Sequence, residues 1–398
     1  MNYKRITVLL LALAMGLVMI AGCGPGAIEE GTGIRHPWVF VHGLNGFGDD
    51  IASPVSYWGA TGGPLLPALA AEGFEVHAPT VSAAGSAWDR AAELYAAITG
   101  TQVDYGIAHS ENNGHERFGR VYDRPLIEGW GEEDEEGNLR RINIIAHSFG
   151  GATARMMAAL LLNGCAEERA AALEAGEEVS GLFVGGRGDW IHSLTCLAAP
   201  HNGVSLLSVL DVSPLLASVA SAISNAELGQ TLAAFGINIP GMESVRQFLG
   251  AAEAHDTAYA DLSITGAEAV NRLTALAPRT FYFSYPVDGT ENNRATNDMS
   301  AAARLLGNFI GSFTHPASGI TDAWRANDGL VNTISATHPF TEPHVNVEDI
   351  ATLRPAPGTW HVMPTVRGDH GSIIGLGRSL EETLPMYLEL MRMVDRLG

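Results

Sequence analysis

The sequence predicts an α/β fold built on a mainly parallel sheet with helices on both faces. Three observations lead there. Short β-branched or apolar runs recur along the chain, Trp38–Val41, Phe74–Ala78, Ile142–Ala146 and Trp190–Ala199. Helical segments separate them, and the first, third and fourth runs each end directly in a Gly-, Ser- or Pro-containing turn. A run such as Trp38–Val41, apolar throughout and without alternation, suits a strand covered on both faces, and strand–helix alternation is the pattern of parallel crossover units.

Before the first strand the chain reads as targeting and tether. Met1-Asn2-Tyr3-Lys4-Arg5 carries two cations, and the apolar stretch Ile6–Ala21 is short for a bilayer span. Ile20-Ala21-Gly22-Cys23 has the form of a bacterial lipoprotein processing box, which makes residues 1–22 a signal peptide and Cys23 the lipidated N-terminus; ordinary cleavage near Gly22 is the alternative. Either route exports the chain, and lipidation would hold it in the cell envelope. Residues 23–35 show no periodicity and read as a tether, and 36–398 as one domain.

Composition narrows the partners. A net charge of −21 argues against nucleic acid and against attraction to anionic membranes by charge, so membrane association would come from the anchor or from apolar surface. After processing only Cys165 and Cys196 remain, which excludes a disulfide scaffold.

The first strand, Trp38–Val41, runs into His42-Gly43-Leu44-Asn45-Gly46. Leu65–Ala71 reads as a helix. Residues 86–100 form an amphipathic helix with Ser86 as cap, Asp89 at the third helical position and Gly100 as stop. The acidic run Glu132–Glu136 reads as a solvated loop. The central strand Ile142–Ala146 then passes without a linker through His147-Ser148-Phe149-Gly150-Gly151 into a helix reaching Leu162. Residues 204–255 are rich in Ser, Ala and paired leucines and read as an inserted helical cap or lid, or equally as helices covering the core.

The strand–turn–helix around Ser148 carries the chemistry. In a nucleophile elbow the serine sits on a cramped turn, and the residues two before and two after it are small because strand and helix backbones nearly touch. Ala146 and Gly150 meet that requirement, and they turn the general α/β expectation into an α/β-hydrolase fold. An attacked ester also needs donors for the developing oxyanion. The backbone N–H after the serine, Phe149, and that of Leu44 in the early glycine loop are the candidates. In this fold the acid and the histidine follow the serine. His370, the last of the 14 histidines, lies in a short polar loop before a final helix, and Asp328 lies at a glycine turn, Asn327-Asp328-Gly329. Asp369 adjoins the histidine but would point away from its ring, a supporting role.

Together these motifs resemble the zinc-containing thermoalkalophilic lipases of bacilli and their staphylococcal relatives. The likeness runs from Pro37 to Ile374 in ordered blocks: Val41-His42-Gly43, Trp88-Asp89-Arg90-Ala91, Asp104-Tyr105-Gly106 through His109, Gly114–Arg120, Ala146-His147-Ser148-x-Gly150-Gly151, Ala199-Pro200-His201-x-Gly203, Asp261-Leu262-Ser263, Asn327-Asp328-Gly329-x-Val331-Asn332 and Asp369-His370. The resemblance implies a Ser148–His370–Asp328 triad and a structural Zn2+ held by Asp89, His109, His115 and Asp261. The family's calcium carboxylates would fall at Ser372 and Gly377, which supply no charged oxygen, so Ca2+ is not expected. The expected activity is lipase action on acylglycerols or other hydrophobic esters. Polyester hydrolysis through a shortened lid is the alternative within chemistry, and a non-catalytic surface lipoprotein for lipid binding or adhesion is the alternative outside it.

Overall fold

Seven short strands pair side by side in one direction: β1 (Trp38–Val41), β2 (Val76–His77), β3 (Ile142–His147), β4 (Ile191–Leu197), β5 (Phe281–Tyr285), β6 (His344–Asn346) and β7 (Trp360–Val362). Their order across the sheet is β6-β7-β5-β4-β3-β1-β2, and every pairing is parallel. The computed structural model describes residues 35–53, 55–208 and 255–397. Cys23, the expected signal peptide and the expected tether up to residue 34 lie outside the described residues, as does most of the expected cap, 209–254.

Parallel neighbours need crossover segments; α-helices fill those between β1 and β6, and one more helix follows β7. They are α1 (Leu65–Ala71), α2 (Ala87–Thr99), α3 (Ile107–Asn113), α4 (Gly150–Asn163), α5 (Ala166–Ala175), α6 (Ala258–Leu262), α7 (Ile264–Leu273), α8 (Ala301–Ile310) and α9 (Leu380–Val394). Strand periodicity sorts the core into two faces. In register, Val39 meets Ile144 and Val41 meets Ala146, and all four join the cluster formed with α2 and α4. Phe40, between them, points to the opposite face, where its ring lies 5.0 Å from that of Trp58 and 6.3 Å from Tyr387 of α9. Both faces of β1 are therefore covered, which is why its sequence shows no polar alternation.

The expected boundaries hold closely. Ser86 caps α2 by accepting from the Asp89 N–H at 3.1 Å, and Gly100 ends it in the left-handed region at φ 66°. β2 is shorter than the strand expected over Phe74–Ala78, because only Val76 and His77 pair with β1. Residues 132–136 are exposed. Cys165 and Cys196 are both free. No helix among the described residues is long and apolar enough to cross a membrane.

The chain divides into a large unit, His36–Leu390, which contains every described element of the candidate site, and a small one that includes Arg35 and the end of the chain from Met391. In the small unit Arg35 Nε lies 3.6 Å from the Asp395 carboxylate.

Candidate active site and metal centre

The turn from β3 to α4 is tight enough to force Ser148 to φ 57°, a region costly for a residue with a Cβ. The surrounding backbone holds it there. The Ser148 N–H donates to the Leu197 carbonyl of β4 at 2.9 Å, and Gly151 N–H donates back to the Ser148 carbonyl at 3.0 Å. A Cβ at Gly150 would come within 2.4 Å of the Val41 carbonyl oxygen, so the helix reaches the strand only because residue 150 is glycine. Ala146 is fully buried at the end of the same strand.

His370 reaches Ser148 from the far end of the chain. Its Nε2 lies 2.8 Å from Ser148 Oγ, and its Nδ1 lies 2.7 Å from Asp328 Oδ2. The carboxylate can only accept, so Nδ1 carries the hydrogen and Nε2 is left to accept from the serine hydroxyl. Asp328 is buried at a turn in which Gly329 takes φ 95°, and its Oδ1 accepts from the N–H groups of Leu330 at 2.9 Å and Val331 at 2.7 Å. Asp369 turns away from the ring. Its carboxylate accepts from Ser300 N–H at 2.9 Å and Ser372 N–H at 3.0 Å, tying the histidine loop to the start of α8.

The glycine loop after β1 closes on the serine. A Cβ at Gly43 would fall 2.8 Å from Ser148 Cβ, so this backbone is as near the nucleophile candidate as glycine allows. Arg90 of α2, wholly buried, fixes the loop. Its guanidinium donates to the carbonyls of His42 at 2.5 Å and Ser82 at 2.6 Å, and its Nε to Thr153 Oγ1 of α4 at 2.8 Å. Burial lowers its pKa to about 10, which still leaves it charged at neutral pH. His42 is also buried. It donates through Nδ1 to the Gly43 carbonyl and accepts the Val81 N–H at Nε2, and burial, with Arg90 nearby, lowers it to about 3. Among the described residues, the Leu44 and Phe149 N–H groups have no acceptor.

A second cluster lies at the start of α2. Asp89, His109, His115 and Asp256 each bring one ligand atom within 4.8 Å of the others. His109 Nε2 lies 3.1 Å from Asp89 Oδ1 and 3.2 Å from Asp256 Oδ2. Burial opposes its protonation, but the hydrogen bonds to Asp256 and Asp89 raise it to about 9. His115 is more telling. Its Nδ1 faces the Glu116 carbonyl at 2.9 Å and so carries a hydrogen, and its Nε2 points towards Asp256 Oδ2 at 3.2 Å. That buried nitrogen has no hydrogen-bond partner among the described residues. A buried ring nitrogen without a hydrogen bond, beside a second imidazole and two carboxylates, is a donor set that suits a metal ion.

The fourth carboxylate of this cluster is Asp256 and not the expected Asp261. Asp261 sits on the first turn of α6 and accepts the Ala87 N–H at 2.7 Å, capping the start of α2. Asp256 precedes Thr257, which pairs with Gly85, while Ala258 N–H donates to the Ala84 carbonyl at 3.0 Å. These links bring residue 256 over the end of the 82–86 loop, a placement that five residues of sequence separation conceal. At the positions expected for calcium ligands, Ser372 Oγ donates to the Asp369 carbonyl and Gly377 N–H to Thr61 Oγ1.

The parallel sheet, the serine at the β3–α4 turn and the histidine arriving on a late loop are the arrangement of an α/β-hydrolase fold. The family model described as "Lipase-like, C-terminal domain" matches residues 34–387. The chain belongs to this staphylococcal-type lipase family. It is 34% identical to a lipase of Staphylococcus hyicus over 372 residues, 88% of this chain and 56% of that protein, and 34% identical to Lipase 2 of Staphylococcus aureus over 363 residues, 86% and 50%. The chain thus spans about half the length of the curated relatives it matches. Among solved structures it resembles lipase 1 of Pelosinus fermentans (TM-score 0.76, 32% identity, 92% of this chain and 99% of that one). It also resembles the Staphylococcus hyicus lipase (TM-score 0.73, 31% identity, 93% and 98%).

Proposed function

We propose that this chain is an exported carboxylic ester hydrolase, a lipase that cleaves acylglycerols or other hydrophobic esters by acyl transfer through Ser148. One observation carries the reading: the His370 ring spans Ser148 Oγ at 2.8 Å and Asp328 Oδ2 at 2.7 Å, a geometry that lets an imidazole with its hydrogen on Nδ1 take the serine proton. In this mechanism Ser148 attacks the ester carbonyl and His370 accepts its proton, then returns one to the leaving alkoxide. Asp328 holds the ring and stabilises the imidazolium. The unengaged N–H groups of Leu44 and Phe149 serve the oxyanion. Water, activated by the same imidazole, then releases the acid.

Asp89, His109, His115 and Asp256 would hold zinc. With four protein ligands the ion would act as a structural clamp between α2, α3 and the segment before α6, supplying no activated water. Cys23 would carry the lipid that keeps the protein at the cell envelope.

The test compares wild type with Ser148→Ala on p-nitrophenyl esters of increasing chain length and on emulsified triglyceride. Wild-type turnover lost in the variant, and retained on long chains, is expected. A wild type no faster than Ser148→Ala removes the enzyme reading, and activity confined to short chains reduces lipase to esterase.

A further inference from the structure

His147 precedes the nucleophile, is almost fully buried and takes no part in the proton path from Ser148 to Asp328. Its surroundings nevertheless dictate both ring nitrogens. Nε2 lies 3.0 Å from the His370 carbonyl oxygen, which only accepts, so Nε2 carries the hydrogen. Nδ1 must then accept, and its neighbour at 2.6 Å is the Tyr57 hydroxyl. Having donated there, that oxygen accepts the Gly43 N–H at 2.9 Å. The result is a one-directional relay, Gly43 N–H to Tyr57 O–H to His147 Nδ1, continued from His147 Nε2–H to the His370 carbonyl. Burial, helped by the neighbouring His370 ring, keeps His147 well below the usual imidazole range, and burial raises the Tyr57 phenol. Both members are neutral, as the relay requires.

The ends of the relay matter. Gly43 directly precedes Leu44 on the loop that closes over Ser148. His370 has its own backbone N–H committed to the Asp328 carbonyl at 2.9 Å, so its carbonyl is the other handle by which the base can be fixed. The two arms come from opposite ends of the chain and must converge on one reacting carbon.

We propose that Tyr57 and His147 are positioning residues that set the oxyanion loop and the His370 backbone at a fixed separation through this relay. The proposal rests on the reading of Ser148 as nucleophile and adds to it. Neither side chain need touch the substrate; each acts on where the amide and the imidazole stand. Misplacement of the order of an ångström at such a site costs on the order of 100-fold in rate.

The experiment measures kcat and KM on p-nitrophenyl butyrate for Tyr57→Phe, His147→Leu, His147→Gln and the double variant Tyr57→Phe/His147→Leu, with Ser148→Ala alongside. Titration with a fluorophosphonate counts competent serines, and nitrogen-15 imidazole NMR of wild type reports the His147 tautomer. Tyr57→Phe and His147→Leu should each lower kcat about 10- to 100-fold with KM within about twofold. The double variant should be little worse than either single, because both break the same relay. His147→Gln, whose amide offers an NH2 donor group and a carbonyl acceptor, should recover most of the loss that His147→Leu shows. Folded Tyr57→Phe with wild-type kcat, multiplicative losses in the double variant, or a His147 ring bearing its hydrogen on Nδ1 would each overturn the proposal. Should the His147 variants not fold, Tyr57→Phe and the wild-type tautomer still decide. Full activity in Ser148→Ala would remove the underlying reading, whereas an inactive Ser148→Ala beside an unimpaired Tyr57→Phe removes the relay alone.

Discussion

Asp328 grips His370 at two points. Its Oδ2 meets Nδ1 at 2.7 Å, and its main-chain carbonyl takes the His370 N–H at 2.9 Å. Side chain and backbone of the histidine are thus registered on one aspartate, whose remaining oxygen is occupied by two turn amides. Ring orientation follows from that arrangement.

Replacing Asp328 by Asn leaves the backbone contact but offers the ring an amide that no longer demands a hydrogen on Nδ1. We expect kcat on p-nitrophenyl esters to fall by roughly 100- to 10,000-fold with the melting temperature changed by only a few degrees. A loss under tenfold in a folded variant would mean that the acid is elsewhere.

Arg90 bonds two carbonyls and a hydroxyl around the oxyanion loop from inside the core. Arg90→Met removes the charge but strands those acceptors, each worth about 1–3 kcal/mol when buried and unpaired. Urea denaturation should show a loss of several kcal/mol, with kcat falling in the protein that remains folded. An unchanged midpoint would show that the loop is held by other contacts.

The two aspartates near α6 separate cleanly by experiment. Asp256→Ala should lose about one equivalent of zinc by elemental analysis, as should His115→Ala, because each removes one of four ligands. Asp261→Asn should keep the metal and lower only thermal stability, since its carboxylate caps α2 through Ala87 N–H. Metal lost from Asp261→Asn but kept in Asp256→Ala would reverse the assignment.

Stability should fall in mild acid because several histidines are buried neutral. His42 is lowered from 6.5 to about 3 and His36 to about 4, each chiefly by burial. Below pH 6.5 the unfolded chain takes up protons that the folded chain refuses, so this contribution is intact above 6.5 and declines towards the lowered values. Glu93, raised by burial, works in the opposite sense. The difference between wild type and His42→Gln isolates one group: the variant should lose about 2 kcal/mol less than wild type between pH 6.5 and 4.5. Parallel pH curves would contradict the buried neutral assignment.

Much of this arrangement was legible in the sequence because local chemistry enforces it. The elbow needs Ala146 and Gly150 whatever the remaining topology does, α2 announces itself through Ser86 and Gly100, and Asp328 lies at a turn only glycine can make. Three members of the candidate metal cluster were anticipated through the family resemblance. Asp89, His109 and His115 fall in well-spaced blocks, whereas the choice between Asp256 and Asp261 depends on a long-range bridge, Thr257 to Gly85, that has no local signature. The same holds for the Tyr57 relay. Tyr57 lies outside every recognised block and joins His147 across 90 positions, so only the folded chain reveals the pairing.

The φ of 57° at Ser148 also bears on how the molecule divides durability from work. An L-residue held there raises the energy of the native state by about 1–2 kcal/mol, and glycine would be relieved of most of it. Ser148→Gly should therefore make a tougher but idle protein, melting a few degrees higher while hydrolysing nothing. The proposed nucleophile stands at a point of backbone discomfort that the rest of the sheet is stable enough to tolerate.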